Sequence, residues 1–441
     1  MAARSARLAL AGGCAAVLAL AACSAGRAAR PGPPPPAGPA PPTPAATPPP
    51  PVIPGTVGGP PFIQGALSPD QLQAAYDTGP LLAKGITGRG QTIAIILPWG
   101  SPTIGHDLAA FDKAWRLPAP PSFRVITPLG PVPPFRRTPL RVYSAAETAL
   151  DVEAAHVMAP GAALLLVEAP SFAGLGPGGL PDFAGAMAYV IRHHLASVIS
   201  MSAGAAEISY PSVRRMHRAI LGAGRPGSLV TMVAASGDDG AASHDGDGTP
   251  YRIRQVEWPA SDPLVVAVGG TRLRVQPASA SVAPATSWPD SGGGRSGVFA
   301  RPSYQSTVAG VAGRWRAVPD ISLDASGASS MEGYAAILPG KWRSFSGTSL
   351  ATPLFAGVVA LAGQEAGRPL GPINPLLYRL AAQHDPGIVD VQGRGNGVIY
   401  RGAAVRGFPA GPGYDLVTGL GTIDAAKFVP DLVRLARQEA N

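Results

Sequence analysis

Ser349 opens an apolar run, residues 350–361, directly behind Ser346-Gly347-Thr348. A serine on a tight glycine turn at the head of a buried helix has its hydroxyl near the positive end of the helix dipole, a placement that suits a nucleophile. Taken alone, the same residues also read as helix punctuation, with Ser349 an N-cap and Pro353 a first-turn proline. A nucleophilic serine needs a base. Glu147 and Asp151 lie four residues apart in 145–159, a stretch otherwise rich in Ala, Leu, Val and Met, so on a helix they share one face. Turned inward, two carboxylates cost free energy unless they share a proton or serve a site; turned outward, they are two solvated acids. Glu153 falls on another face and reads as structural. A third acid, Asp238, lies in Ala234-Ala235-Ser236-Gly237-Asp238-Asp239-Gly240, with Asp239 beside it.

Rigid elements have to hold these groups, and the chain has the material for them. From Ser68 onward short apolar runs alternate with longer amphipathic ones. Residues 91–97, 163–168, 197–201, 229–234 and 264–268 read as buried strands, and 145–158, 182–194 and 210–223 have helical spacing. Buried β alternating with amphipathic α argues for an α/β fold, a parallel sheet flanked by helices on both faces.

Composition agrees. Of 441 residues 46% are hydrophobic, enough to fill a large core and to exclude a wholly disordered polymer, although the chain holds 56 Gly and 51 Pro. Only 14% are charged, which argues against coiled coils. The net charge of +8 comes from scattered arginines without a basic stripe, so no nucleic-acid partner is expected. Both cysteines, Cys14 and Cys23, lie near the start, which leaves the rest without disulfide, thiolate metal site or cysteine nucleophile.

Arg4 and Arg7 precede an apolar run, residues 8–22, too short to span a bilayer comfortably but suited to a secretory signal. Leu20-Ala21-Ala22-Cys23 resembles the bacterial lipobox, which implies cleavage before Cys23 and its acylation as a membrane anchor. The plain alternative is an ordinary signal cut near Ala22. About a third of the prolines follow between Pro31 and Pro61, a composition for extended polyproline II rather than a core. The expected layout is therefore a lipoprotein signal at 1–22, a Pro-rich stalk at 23–66 and one domain at 67–441. It would lie outside the cytoplasmic membrane, lipid-anchored or released.

The segment SGTSLATPLFAG at 346–357 resembles the nucleophile motif of the subtilisin-like clan of serine peptidases. That clan presents its histidine base in an HGT-type segment, and none of His106, His156, His193, His194, His217, His244 and His384 lies in one. His106, in Gly105-His106-Asp107, is the nearest imitation; His156 reads as a packed or capping side chain. The ExxxD helix, then Ala159-Pro160-Gly161-Ala162, then Ser236-Gly237-Asp238, then Ser346-Gly347-Thr348-Ser349, in this order, resembles the sedolisin family of serine-carboxyl peptidases from about Ser68 to the C-terminus. Ser200-Met201-Ser202, Val268-Gly269-Gly270-Thr271 and Pro319-Asp320 extend the likeness.

The resemblance implies a subtilisin-like fold and a serine-type endopeptidase in which Ser349 is the nucleophile, Glu147 its base and then acid, Asp151 the partner that orients Glu147, and Asp238 the oxyanion donor. Each role is physically sound. A neighbouring acid raises a carboxylate's proton affinity, and an acid donates to an oxyanion only while protonated. Activity is expected on the acid side of neutrality. Ser202, Ala203 and Gly204 match the substrate-side wall, with Ala203 where many members carry an aromatic, so the wall is expected to be more open. Asp390-Val391 and Gly411-Pro412-Gly413-Tyr414-Asp415 match the family's calcium site, implying one structural Ca²⁺ held by the Asp390 and Asp415 side chains and the carbonyls of Val391, Gly411 and Gly413. Family members carry a large folded prodomain, for which the Pro-rich stalk is no substitute. That leaves open unaided folding, a prodomain acting in trans, or altered regulation. The expected partner is a peptide or protein substrate and the expected state a monomer. The alternative reading is a non-hydrolytic peptide-binding surface lipoprotein on the same fold.

Overall fold

A computed structural model describes residues 66–172, 179–224, 229–245, 249, 251–275, 282–331, 342–400 and 403–440. The signal-like segment, Cys23 and the stalk up to residue 65 lie outside the described residues.

Seven strands form one parallel sheet: β1 (Thr92–Pro98), β2 (Phe123–Ile126), β3 (Ala163–Ala169), β4 (Val198–Met201), β5 (Thr231–Ala235), β6 (Val265–Val275) and, beyond the antiparallel β7 (Val282–Ser287), β8 (Ile321–Asp324). Their spatial order is β8-β6-β5-β4-β1-β3-β2, with β7 pairing antiparallel to β6. The inner strands read as continuous apolar runs because both faces are covered. In β1, Ile93, Ile95 and Leu97 enter one core while Ala94 and Ile96 enter the other. The first core is closed by α1 (Pro139–Met158), α4 (Thr348–Ala366) and α5 (Ala425–Ala440), the second by α2 (Gly179–Arg192) and α3 (Val213–Ala223). This is the α/β arrangement that the alternating runs imply.

The boundaries differ in instructive ways. Helix α1 starts at Pro139, earlier than the apolar periodicity at 145, because Thr138 caps it by accepting from the Arg141 amide at 3.3 Å and Pro139 occupies its first turn. Strand β6 runs on past Val268 through Gly269 and Gly270 to Val275. Strands β2, β7 and β8 have no long apolar run and were not expected. Helix α4 has Gly347 as its N-cap, so Ser349 is its second residue rather than the cap, and Pro353 lies inside the helix rather than in its first turn. Among the described residues no helix is long and apolar enough to cross a membrane.

Helices α1 and α4 pack against each other across the first core. A β-carbon on Gly357 would fall 2.5 Å from that of Met158, so the absence of a side chain on Gly357 permits this approach. The packing sets the face of α1 carrying Glu147 and Asp151 beside the start of α4. Strands β4 and β5 deliver their following loops, Ser202–Gly204 and Ser236–Gly240, to the same place. That is the carboxyl end of the parallel sheet, where open α/β folds build their sites.

Candidate active site

Ser349 is held at the head of α4 by backbone geometry. Gly347 has φ 122°, a region that disfavours side chains, and a β-carbon there would lie 2.5 Å from Asp238 Oδ2. Glycine therefore both makes the turn and lets the Asp238 carboxyl close over it. The Thr348 amide donates to Asp238 Oδ1 at 2.7 Å and the Thr348 hydroxyl to the same oxygen at 2.8 Å. Ser349 and Ser202 are reciprocally bonded: Ser349 Oγ donates to the Ser202 carbonyl at 3.3 Å, and Ser202 Oγ to that of Ser349 at 3.2 Å. The Ser349 amide, in the first turn, has no carbonyl one turn back to serve and is available as a donor.

The two acids of α1 face inward. Glu147 is 7% exposed and Asp151 0%, which overturns the reading of two solvated acids. Burial raises the proton affinity of Glu147, while the nearby Ser349 and Tyr143 hydroxyls oppose the rise. Tyr143 Oη donates to Glu147 Oε2 at 2.9 Å, and Oε1 has no hydrogen-bond partner among the described residues. Burial raises Asp151 well above the ordinary carboxylate range, the charge of Glu147 adds to this, and only the Ser202 hydroxyl opposes it. The pair is unequal. Glu147 is the side to lose a proton first, because it has a firm donor, and Asp151 is the side to keep one.

Asp238, pushed up to about 8, is raised first by burial, against the two Thr348 hydrogen bonds, with the charges of Glu147 and Glu257 adding to the rise. It can stay protonated in neutral as well as acid solution. Asp239 does not share its position: it pairs with His244 Nδ1 at 2.8 Å. His217 is bound to Asp262 at 2.9 Å, and buried His156 sits 2.8 Å from the Pro118 carbonyl and 3.3 Å from Asp112, as a packed side chain should. His106 lies at the surface, 3.6 Å from Asp107. A serine next to an unequal acid pair and a third, protonated acid can transfer protons at a carbonyl without imidazole.

At the C-terminal turns, Asp390 Oδ1 accepts from the Gly413 amide at 3.1 Å and Asp415 Oδ2 from the Gly411 amide at 3.0 Å. Asp415 Oδ1 is further held by the amides of Val417 and Thr418, and the Val391 carbonyl accepts from Thr418 Oγ1. Two carboxylates thus converge on one glycine turn. Among the described residues no group of three or more His, Cys, Asp or Glu side chains could hold a metal ion, so an ion here would depend on backbone carbonyls for the rest of its shell. That donor set is all hard oxygen and fits Ca²⁺.

Sequence reading missed Tyr143 and Thr348. Tyr143 precedes Glu147 by one helical turn, so the spacing that paired Glu147 with Asp151 could have found it. Thr348 carries no signal of its own beyond adjacency to Ser349.

The profile described as the Subtilase family matches residues 144–374. Kumamolisin of Bacillus sp. (strain MN-32) is 33% identical over 402 residues, which is 85% of this chain and 65% of that protein. Sedolisin of Pseudomonas sp. (strain 101) is 36% identical over 210 residues, 45% of this chain and 34% of its own length. Human tripeptidyl-peptidase 1 is 34% identical over 233 residues, 49% of this chain and 39% of its own length. The chain thus spans two thirds or less of the curated relatives it matches. Among solved structures, Pseudomonas sedolisin, described as a serine-carboxyl proteinase complexed with two molecules of pseudo-iodotyrostatin, superposes with a TM-score of 0.69 at 28% identity, covering 85% of this chain and 98% of that one.

Proposed function

Because this chain belongs to the subtilase family, and within it to the sedolisin branch, we propose that it is a serine-carboxyl endopeptidase acting on unstructured peptide segments in acid surroundings. The observation that carries this reading is the buried acid pair Glu147 and Asp151, with Glu147 beside Ser349 and Asp238 closed over the Gly347-Thr348 turn that precedes the serine.

Ser349 Oγ leaves the Ser202 carbonyl and attacks the scissile carbonyl carbon, passing its proton to ionised Glu147. Asp151, still protonated, keeps the pair at a single negative charge. The carbonyl oxygen, now an oxyanion, accepts hydrogen bonds from the Ser349 amide and the protonated Asp238 carboxyl. As the tetrahedral species collapses, Glu147 returns the proton to the leaving amine and an acyl-enzyme remains on Ser349. Water, deprotonated by Glu147, repeats the sequence and frees the acid. Ser202, Ala203 and Gly204 would lie along the peptide. A calcium ion held by Asp390 and Asp415 with the carbonyls of Val391, Gly411 and Gly413 would cross-link the C-terminal turns. We place the protein outside the cytoplasmic membrane, anchored through Cys23.

The test is digestion of a denatured protein by the purified full chain at pH 4–5, with product lengths read by mass spectrometry. Internal cuts absent from Ser349→Ala are expected. Successive release of tripeptides from the amino terminus alone would replace the endopeptidase reading with an exopeptidase one, and no cleavage by the folded chain would favour a peptide binder. Calcium is tested separately: it should raise the melting temperature, and Asp390→Ala should abolish that rise.

A further inference from the structure

Glu257 is a buried acid that the proposed mechanism leaves unused. It lies in the short strand Glu257–Trp258, which pairs with Ala205–Ala206 just beyond Gly204. Its carboxyl sits between the two loops that flank Ser349: a β-carbon on Gly204 would lie 3.0 Å from Oε2, and one on Gly237, whose φ is 115°, 3.1 Å from Oε1. Ser243 Oγ donates to Oε1 at 2.8 Å. The next residue, His244, is bound to Asp239 at 2.8 Å. The loop 237–244 is thus pinned, with Gly237 against Glu257, Asp239 on His244 and Ser243 on Glu257, and Asp238 is the member that faces Gly347 and Thr348.

We propose that Glu257 is a positioning residue of the reaction: its charge, held against the loop by Ser243 and His244, keeps Asp238 in the protonated form that can donate to the oxyanion. This rests on the oxyanion role of Asp238 proposed above.

The charges around Glu257 support the assignment. Facing it are Asp239 and His244 on the loop and Asp238 beyond Gly237, while Asp245 acts on His244 and Glu147 on Asp238. Glu207, next to the Ala206 that pairs with Glu257, is turned to Ser296 and the Gly297 amide. The wall Ser202-Ala203-Gly204 contributes no titratable side chain. Burial pushes Glu257 up to about 7, with His244 opposing. Burial works against the His244 cation, but Asp239, Glu257 and Asp245 together raise it above its ordinary value. Because Glu257 packs against Gly237, the residue before Asp238, its ionised form sets a like charge beside Asp238 and opposes the ionisation of Asp238.

The experiment is the pH profile of kcat/KM for an internally quenched peptide, measured on the full chain and on Glu257→Gln, Ser243→Ala, Asp238→Asn and Glu257→Gln/Asp238→Asn. Glu257→Gln should draw the alkaline limb down by about one pH unit, leaving the acid limb, set by Glu147 and Asp151, in place. Ser243→Ala raises the proton affinity of Glu257 without removing it and should move the limb the same way by less, which covers a Glu257→Gln variant that fails to fold. Asn donates at any pH, so Asp238→Asn should erase the alkaline limb, and the double variant should behave like Asp238→Asn. An alkaline limb unmoved by both Glu257→Gln and Ser243→Ala, but erased by Asp238→Asn, would overturn the role of Glu257 alone. A wild-type alkaline limb retained by Asp238→Asn would instead overturn the oxyanion role on which it rests.

Discussion

At the scale of the residue, Glu147 and Asp151 are chemically similar acids placed in different surroundings on one helix face. Tyr143 donates to Glu147, whereas Asp151, 0% exposed, has no partner in hydrogen-bond geometry among the described residues. Removing the tyrosine hydroxyl withdraws a bond to the ionised form, so Tyr143→Phe should raise the proton affinity of Glu147 and move the acid limb of the rate profile to higher pH. A downward or absent shift would show that Tyr143 does not act through Glu147. Glu147→Gln should cost about 10²–10⁴-fold in kcat, the usual worth of a general base, and Asp238→Ala about 10²–10³-fold, the worth of one oxyanion donor. Both follow from single-turnover rates at pH 4–5. Because Asp238→Ala removes a donor made in the transition state, its loss belongs in kcat more than in KM.

At the scale of the element, the geometry depends on how α1 and α4 meet. Gly357 lies where a β-carbon would be 2.5 Å from that of Met158 and 3.1 Å from the Ala155 carbonyl. Gly357→Ala should force the helices apart, costing about 1–3 kcal/mol by overpacking and lowering kcat with little change in KM, since the serine and its base ride on different helices. Denaturant unfolding and steady-state kinetics read the two effects, and an unaltered midpoint would contradict the tight contact. This contact also marks the limit of sequence reading. The strands β1 and β3–β5 were legible because burial on both faces leaves continuous apolar runs, and Ser349 and the ExxxD pair were legible as spacing. That the acids face inward was not: the periodicity of α1 permits either face, and only the fold chooses. The pairing of Glu257, Ser243, His244 and Asp239 was equally hidden, because it joins a loop to a strand too short to signal itself.

At the scale of the whole molecule, several carboxyls are buried with raised proton affinity: Asp324 to about 6, Glu168 and Glu257 to about 7, Asp238 to about 8. Burial is the leading cause for each. A carboxyl whose folded-state pKa lies above its unfolded value binds more protons when folded, so its stabilising contribution is fully present below the unfolded value and is lost as pH rises through the folded one. The melting temperature of the chain should therefore fall between about pH 4 and pH 8, as seen by calorimetry at constant ionic strength. A melting temperature that rose over that interval would mean these acids are ionised in the folded protein. The same acids link stability to activity, since the conditions that keep the fold intact also keep Asp238 able to donate.

The central claim, that carboxyls and not an imidazole serve Ser349, is tested most directly by kcat/KM of the wild-type chain from pH 3 to 9. Activity that is already substantial at pH 4–5, where a histidine base would be protonated, and that is lost as pH rises through about 8, the value for Asp238, is the expected result. A profile that stays flat near zero in acid, climbs through about 6.5 and holds a plateau above it would be that of a neutral imidazole, and would contradict the account.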